Sequence, residues 1–456
     1  SLFQYERPKD GDRILFIIVI STVLHSTIAL LQINNSTFMA GWYPQNKQGM
    51  PTGVFQQVNV QATYLVTGIL IAFYLQGRKY IEDSSILIKL FLLVAIGLSS
   101  YVVFATGSRI GLLSLITGLA ILFFSYGKRY RKNYILVWLS ILMLLFGGFT
   151  AKDGLERTMD KTARLTGQQY SAARWSIYSI SLEAIKKSPI YGHGIGGFLK
   201  AWNDEAGKFY QRNKTANLPQ YITHPHNEIL FWLIEGGLLA IAGIVIALIA
   251  IWVRIYQLGY ENGGAYLALL VPIGLHTQVE LPFYISSLHW FIWLFIIYLV
   301  MNHKTVSVKT GMSSSAKNLI KSVSIIALFI SNYSLIDTAR AQADIIRFLN
   351  KTGQPPYLNL ALTNLYSVNY AEQLAMRGEL HNAIYLKDKQ AIKRAVSWAE
   401  NYVKLNPELK MYDDILNGYI ALGDMGNTCK AVMKAGEFYP QNSEINKLRV
   451  NCGVVE

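Results

Sequence analysis

The sequence predicts an all-α polytopic membrane protein, with about nine transmembrane helices, one long outer loop and a C-terminal helical domain. Three observations predict it. The 456-residue chain is 52% hydrophobic and only 15% charged, against about 25% charged residues in soluble domains. Apolar runs close to the roughly 20 residues that cross a bilayer recur from residue 14 to residue 336. The short segments that share one side of those runs are rich in lysine and arginine.

The runs fall at 14–33, 61–76, 86–106, 110–126, 134–150, 229–253, 265–281, 284–301 and 319–336. Arg7, Lys9 and Arg13 precede the first. Arg78 and Lys79 follow the second, Lys128, Arg129, Arg131 and Lys132 the fourth, and Arg254 the sixth. Lys304, Lys309 and Lys317 separate the eighth from the ninth. If every run crosses, all these segments share one face, and the positive-inside rule makes it cytoplasmic. The excess of 42 Lys and Arg over 28 Asp and Glu then reflects topology, and no nucleic-acid partner is expected.

The opposite face receives segment 34–60, the tight turn Thr106-Gly107-Ser108-Arg109, the loop 151–228, the turn around Glu280-Leu281-Pro282, and the tail from Asp337. Two domains follow. Residues 1–336 form a membrane domain that includes the outer loop 151–228, and 337–456 form a helical domain outside the bilayer. The chain opens with polar, charged Ser1 to Arg13, without an initiator Met or a signal-peptide pattern. That suggests a fragment whose earlier part is absent.

The outer loop is long enough to be functional. Arg174-Trp175-Ser176 open a helical pattern that runs through Ile185, and Gly192-His193-Gly194-Ile195-Gly196-Gly197 follows it. No strand precedes these glycines and no Gly-Lys-Ser/Thr follows, which excludes a P-loop or dinucleotide site. A plain turn is expected. In the tail, Ala395 to Leu405 and Ile415 to Phe438 show apolar residues at helical spacing. The stretches 395–407 and 431–440 resemble second helices of tetratricopeptide-like hairpins, with Leu422-Gly423-Asp424 as a turn. Such pairs either bind proteins or form a compact cap. Cys429 and Cys452 lie on the outer side, where an oxidising compartment would let them pair. Their spacing alone leaves two free thiols open.

The polar residues of chemical interest gather on the outer face: Arg109, Arg174, His224, His226, His276 and Glu280. The run Thr223-His224-Pro225-His226-Asn227-Glu228 stands at the mouth of the sixth apolar stretch. Histidine is the side chain whose ordinary pKa lies near neutrality, so it can take or give a proton there. His276 and Glu280 are four apart, hence on one face if the helix persists. They could hold an acceptor, tune His226, or form a buried structural pair. The same spacing can serve a metal, but with no third ligand in view no metal is expected.

Five motifs in this order resemble the bacterial protein O-oligosaccharyltransferases, the pilin-glycosylating relatives of the O-antigen ligases and polymerases. They are Pro51-Thr-Gly-Val-Phe-Gln-Gln-Val-Asn59, Thr106-Gly-Ser-Arg-Ile-Gly111, Arg174-Trp175 leading to Pro189-Ile-Tyr-Gly-His-Gly194, His224-Pro-His-Asn-Glu228, and His276-Thr-Gln-Val-Glu-Leu-Pro282. The resemblance covers most of residues 1–300 and, more loosely, the tail. Gln57-Val58-Asn59 departs from the commoner Gln-Pro-Asn. Family members carry further membrane helices ahead of the position of Ser1, which again implies an incomplete chain.

The resemblance implies a polyprenyl-diphosphate-linked oligosaccharide as donor. It implies Ser or Thr of a secreted protein, often a pilin, as acceptor on the periplasmic face of the bacterial inner membrane. It implies neither metal nor nucleotide, so no cofactor is expected. Glycosyl transfer to a hydroxyl needs a base, and His226 is the candidate, with His224 as alternate or orienting partner and Asn227 fixing the ring or backbone. Arg109 and Arg174 are the candidates for the departing diphosphate, because guanidinium forks bind phosphate oxygens and stay charged. An arginine between two apolar spans with almost no loop is costly to place there. Gln57, Asn59, His276 and Glu280 complete the expected substrate-binding set. The alternatives are a glycolipid acceptor for the same chemistry, a transporter of the lipid-linked glycan, or a scaffold that would leave the clustered Arg and His unexplained.

Overall fold

A computed structural model describes residues 8–36, 38, 49–55, 57–163, 168–219, 221–303, 313–350 and 358–453. Among them there is no strand, and the chain is an all-α polytopic membrane protein. The helices are α1 (Pro8–Ile33), α2 (Val58–Gln76), α3 (Lys79–Glu82), α4 (Ile86–Ala105), α5 (Arg109–Tyr126), α6 (Tyr134–Thr150), α7 (Lys152–Ala163), α8 (Gln168–Lys187), α9 (Phe198–Arg212), α10 (Glu228–Gln257), α11 (Gly259–His276), α12 (Pro282–Ile285) and α13 (Ser287–Asn302). They continue as α14 (Ser314–Asn350), α15 (Asn359–Thr363), α16 (Val368–Leu386), α17 (Lys389–Val403), α18 (Leu409–Leu422), α19 (Met425–Phe438) and α20 (Ser443–Asn451).

Each apolar run became a helix, but fewer than about nine are long and apolar enough to cross a bilayer. Among the described residues six qualify, or seven if α6 and the start of α7, bent by 69°, count as one span. The difference lies at α11 and α13. α11 spends its first turns on Gly259-Tyr-Glu-Asn-Gly-Gly264, and α13 has 16 residues, below the roughly 20 a straight span needs.

The chain divides into two compact units. One contains Leu2–Phe198 and His224–Ser307, the other Leu199–Thr223 and Val308–Glu456. In the first, α2 is the central element. It is almost wholly buried and packs against α1, α4, α5 and α11. Small residues allow those crossings. A Cβ on Gly118 of α5 would stand 2.4 Å from Leu70 of α2, and one on Gly111 would stand 2.7 Å from Ala62. Close approach of backbones through glycine is how helices associate where lipid removes the hydrophobic drive. At the basic ends, Arg78 holds both oxygens of Asp12 at 3.1 Å and Lys132 reaches Glu82 at 2.7 Å.

In the second unit, the helices α16 with α17 and α18 with α19 form successive pairs around a core that includes Ile392, Val396, Met411, Tyr412, Ile415 and Val432. The amphipathic spacing read in 395–405 and 415–438 accounts for that core, because apolar residues at i, i+3 and i+4 line one helix face. Cys429 and Cys452 are disulfide-bonded, tying α19 to the end of α20. Part of the outer loop belongs here as well. Leu218 donates its amide to Gln441 Oε1 at 2.9 Å, and Gln441 Nε2 donates to the Ala216 carbonyl.

Candidate active site

The site is assembled in the first unit, where four of the five motifs are linked by hydrogen bonds. Asn227 caps α10, its side-chain oxygen accepting from Leu230 N at 2.9 Å. This is the ordinary work of an Asn before a helix. Its amide nitrogen donates to the Gln278 carbonyl at 3.1 Å, and Glu228 N donates to the Thr277 carbonyl at 2.9 Å. The start of α10 is thereby fastened to the turn after α11.

His226 has a backbone φ of 54°, a left-handed conformation that costs a β-carbon-bearing residue on the order of 1–3 kcal/mol. Its amide donates to His224 Nδ1 at 3.2 Å, and the two rings stand edge to face with centroids 4.4 Å apart. Both rings face one carboxylate. His226 Nδ1 lies 2.8 Å from Glu280 Oε1, and His224 Nε2 lies 3.6 Å from the same oxygen. Glu280 is 9% exposed and His226 36%, so the acid is covered and the histidine is reachable.

Burial pushes the Glu280 carboxyl up, but the hydrogen bond from His226 and the charges of His226, His224 and His276 outweigh it and hold the group below the ordinary carboxylate range. Glu280 is therefore ionised at neutral pH. A carboxylate only accepts, so the His226 Nδ1 carries the proton, and in the neutral ring Nε2 presents a lone pair. His224 is held below its ordinary value by burial and by His226, against Glu280.

These directions fix a pH dependence. A histidine with a depressed pKa in the fold binds a proton less well than in the unfolded chain, so stability falls as pH drops below about 6.5. The Glu280 contribution is present above the unfolded value near 4.3 and is lost only below it. Between about pH 7.5 and pH 5.5 His224 therefore contributes a loss of its own, in a window where Glu280 contributes none. The drop in apparent Tm over that window is expected to be smaller in His224→Gln than in the unaltered chain. Equal drops would contradict the assignment.

His276 does not share a helix with Glu280, because α11 ends at His276; a Glu280 N to His276 O bond of 3.0 Å connects them instead. His276 is fully buried, with Nδ1 2.8 Å from Thr63 Oγ1 of α2. Thr63 also reaches His289 Nε2 at 3.3 Å. His276 thus joins the Glu280 turn to α2. One helical turn before Thr63, Asn59 Oδ1 accepts from Ser108 Oγ at 2.8 Å. Ser108 caps α5, and the next residue, Arg109, is half-buried in the first turn. Gln57 precedes α2 and its side chain makes no cap.

Arg174 is half-buried in α8, and among the described residues no hydrogen bond or ion pair joins it to the His224, His226 and Glu280 cluster. Arg157 was not among the expected residues. It donates to the Ala105 carbonyl at 3.0 Å, beside the Thr106–Arg109 turn. Nothing but its charge in an outer segment marks it in the sequence. Thr63 has a faint signal: it is a hydroxyl four residues after Asn59.

The glycine run is a strap and not a plain turn. Gly237 has φ 62° and ψ −160°, which breaks α10. The segment 189–194 fills the break: His193 N and Gly194 N donate to the Ile234 and Glu235 carbonyls at 2.7 and 2.9 Å, and Leu238 N donates to the Pro189 carbonyl at 2.8 Å. Backbone lies on backbone here. A Cβ on Gly192 would stand 2.4 Å from the Glu235 carbonyl, and one on Gly237 would stand 2.3 Å from the Ile190 carbonyl.

A set other than the His276 and Glu280 pair brings three metal-ligating groups together. His224, His226 and Glu280 each offer a ligand atom, all within 4.8 Å of one another.

Three family models match the chain. They are O-antigen ligase over residues 91–245, protein glycosylation ligase over residues 51–75, and virulence factor membrane-bound polymerase, C-terminal, over residues 265–448. The first takes in the Thr106 and Arg174 motifs and the two histidines, the second the motif ending at Asn59, and the third the turn with Glu280 and most of the tail. No curated protein matches the chain.

Proposed function

We propose, for a chain that belongs to the O-antigen ligase superfamily, that it transfers an oligosaccharide from a polyprenyl-diphosphate donor to Ser or Thr of a periplasmic protein such as a pilin. The ligase and glycosylation-ligase matches support a glycosyltransferase-type enzyme that acts on a lipid-linked glycan. The observation that carries the mechanism is the 2.8 Å contact between His226 Nδ1 and Glu280 Oε1.

Glu280 holds the ring and its tautomer, so Nε2 is the base. The acceptor hydroxyl gives its proton to Nε2 as its oxygen attacks the anomeric carbon. The bond from that carbon to the diphosphate oxygen breaks, and the diphosphate leaves with the electron pair. Arg109 and Arg174 receive the developing charge, which fixed guanidinium groups stabilise in a partly dehydrated site. Asn227 keeps the loop in place, while Gln57 and Asn59 line the approach beside Ser108. The proton and the leaving group are both provided for by side chains, so the transfer runs without metal. Two features support a protein acceptor outside the cytoplasm: the protein glycosylation ligase match and the disulfide in the tail, a bond that persists in oxidising compartments. The O-antigen ligase match favours a second reading, the same chemistry on a glycolipid acceptor.

The test is glycan transfer in a bacterial host that makes one lipid-linked oligosaccharide and a pilin, read by intact-protein mass. A glycan-sized gain on the pilin is expected. An unmodified pilin with the glycan on lipid A core would move the assignment to the glycolipid acceptor.

A further inference from the structure

We propose that His224, His226 and Glu280 form a binding site for a divalent transition-metal ion of the zinc type, and that the ion, once bound, switches the base off. The binding stands on geometry alone, and its inhibitory consequence rests on the proposed function. Zinc is held by histidine nitrogens and carboxylate oxygens at about 2.0–2.1 Å, usually tetrahedrally, so neighbouring ligand atoms sit about 3.3 Å apart. The two separations from Glu280 Oε1 are 2.8 Å to His226 Nδ1 and 3.6 Å to His224 Nε2. They bracket that spacing, and the whole set lies within 4.8 Å. Two imidazoles and one carboxylate match the ligand preference of zinc and of its neighbours in the first transition row. Three protein ligands leave the fourth position open to water.

The ion takes the place of the proton between His226 and Glu280. A neutral ring bound to metal through Nδ1 carries its proton on Nε2, so the lone pair that would accept the hydroxyl proton is lost. His224, bound through Nε2, carries its proton on Nδ1 and gives up the 3.2 Å bond from the His226 amide. No net proton leaves either ring, and nothing is oxidised or reduced.

Equilibrium dialysis of the purified full chain against zinc, with bound metal counted by mass spectrometry, tests the site directly. One zinc per chain is expected, with affinity at least tenfold lower in His224→Gln and in Glu280→Gln. Cobalt(II) on the unaltered chain gives a check free of any variant: the visible absorption of a four-coordinate ion is expected. Absence of stoichiometric zinc, zinc unaffected by either substitution, or cobalt that stays six-coordinate would overturn the proposal. Transfer is expected to stop at saturating zinc and to return with chelator. Zinc held by these ligands with transfer at full rate would keep the site and overturn His226 as the base.

Discussion

His226→Ala is expected to lower kcat by about 10²–10⁴-fold, the usual contribution of a positioned general base, and to leave donor binding intact. At 1.36 kcal/mol per tenfold, that is about 3–5 kcal/mol of transition-state stabilisation. The ring is singled out from its neighbours by geometry. It is the more exposed of the two histidines on Glu280 and the nearer, at 2.8 Å. Its backbone is left-handed, and strain of that kind persists where the surrounding structure holds it. The check is single-turnover transfer beside donor affinity. A variant that loses affinity and keeps kcat would make His226 a binding residue instead.

The second large effect is expected at Arg109. Its substitution by alanine should cost about 10²–10³ in kcat, the range seen when one fixed donor to a developing anion is removed. Lysine should restore only part of it, since an ammonium lacks the planar fork that matches phosphate oxygens. The position is prepared for this role. Arg109 stands in the first turn of α5 behind the Ser108 cap, and Ser108 is tied to Asn59 of the central helix. The amino end of a helix adds its own partial positive charge. A side chain that merely snorkels to the headgroups would give wild-type kcat in both variants. Arg174, with no such tie to the cluster, is expected to show the smaller loss.

How much of this was legible in the sequence differs by element. Apolar runs locate the apolar helices α1, α2, α4, α5, α6, α10, α11 and α13 and the apolar stretch of α14, because lipid forces backbone polar groups to be satisfied within a helix; the short α3 and the polar α7 leave no such mark. α11 and α13 are helices, but by length and composition they fall outside the six or seven candidate spans among the described residues. The histidine motif is visible as chemistry, and Glu280 as one group that could tune His226, but the direct contact is not: Glu280 is 54 residues further on, and its spacing equally pairs it with His276, which is buried against Thr63. The glycine run reads as a turn because the break that receives it is marked only by Glu235-Gly236-Gly237 inside a long apolar stretch. Only the docked backbone shows that Gly192 and Gly237 are the two halves of one close approach. Segment 199–223 likewise gave no sign that Gln441 would hold it to the tail.

The central claim is that Glu280 acts through His226, and a double-mutant cycle tests it most directly. Transfer rates are measured for His226→Ala, Glu280→Gln and the pair together. Residues that act as a unit are non-additive, so Glu280→Gln is expected to slow the unaltered enzyme and to cause no further loss once His226 is alanine. The same fractional loss in both backgrounds would show that Glu280 works independently of the ring, and would contradict the dyad.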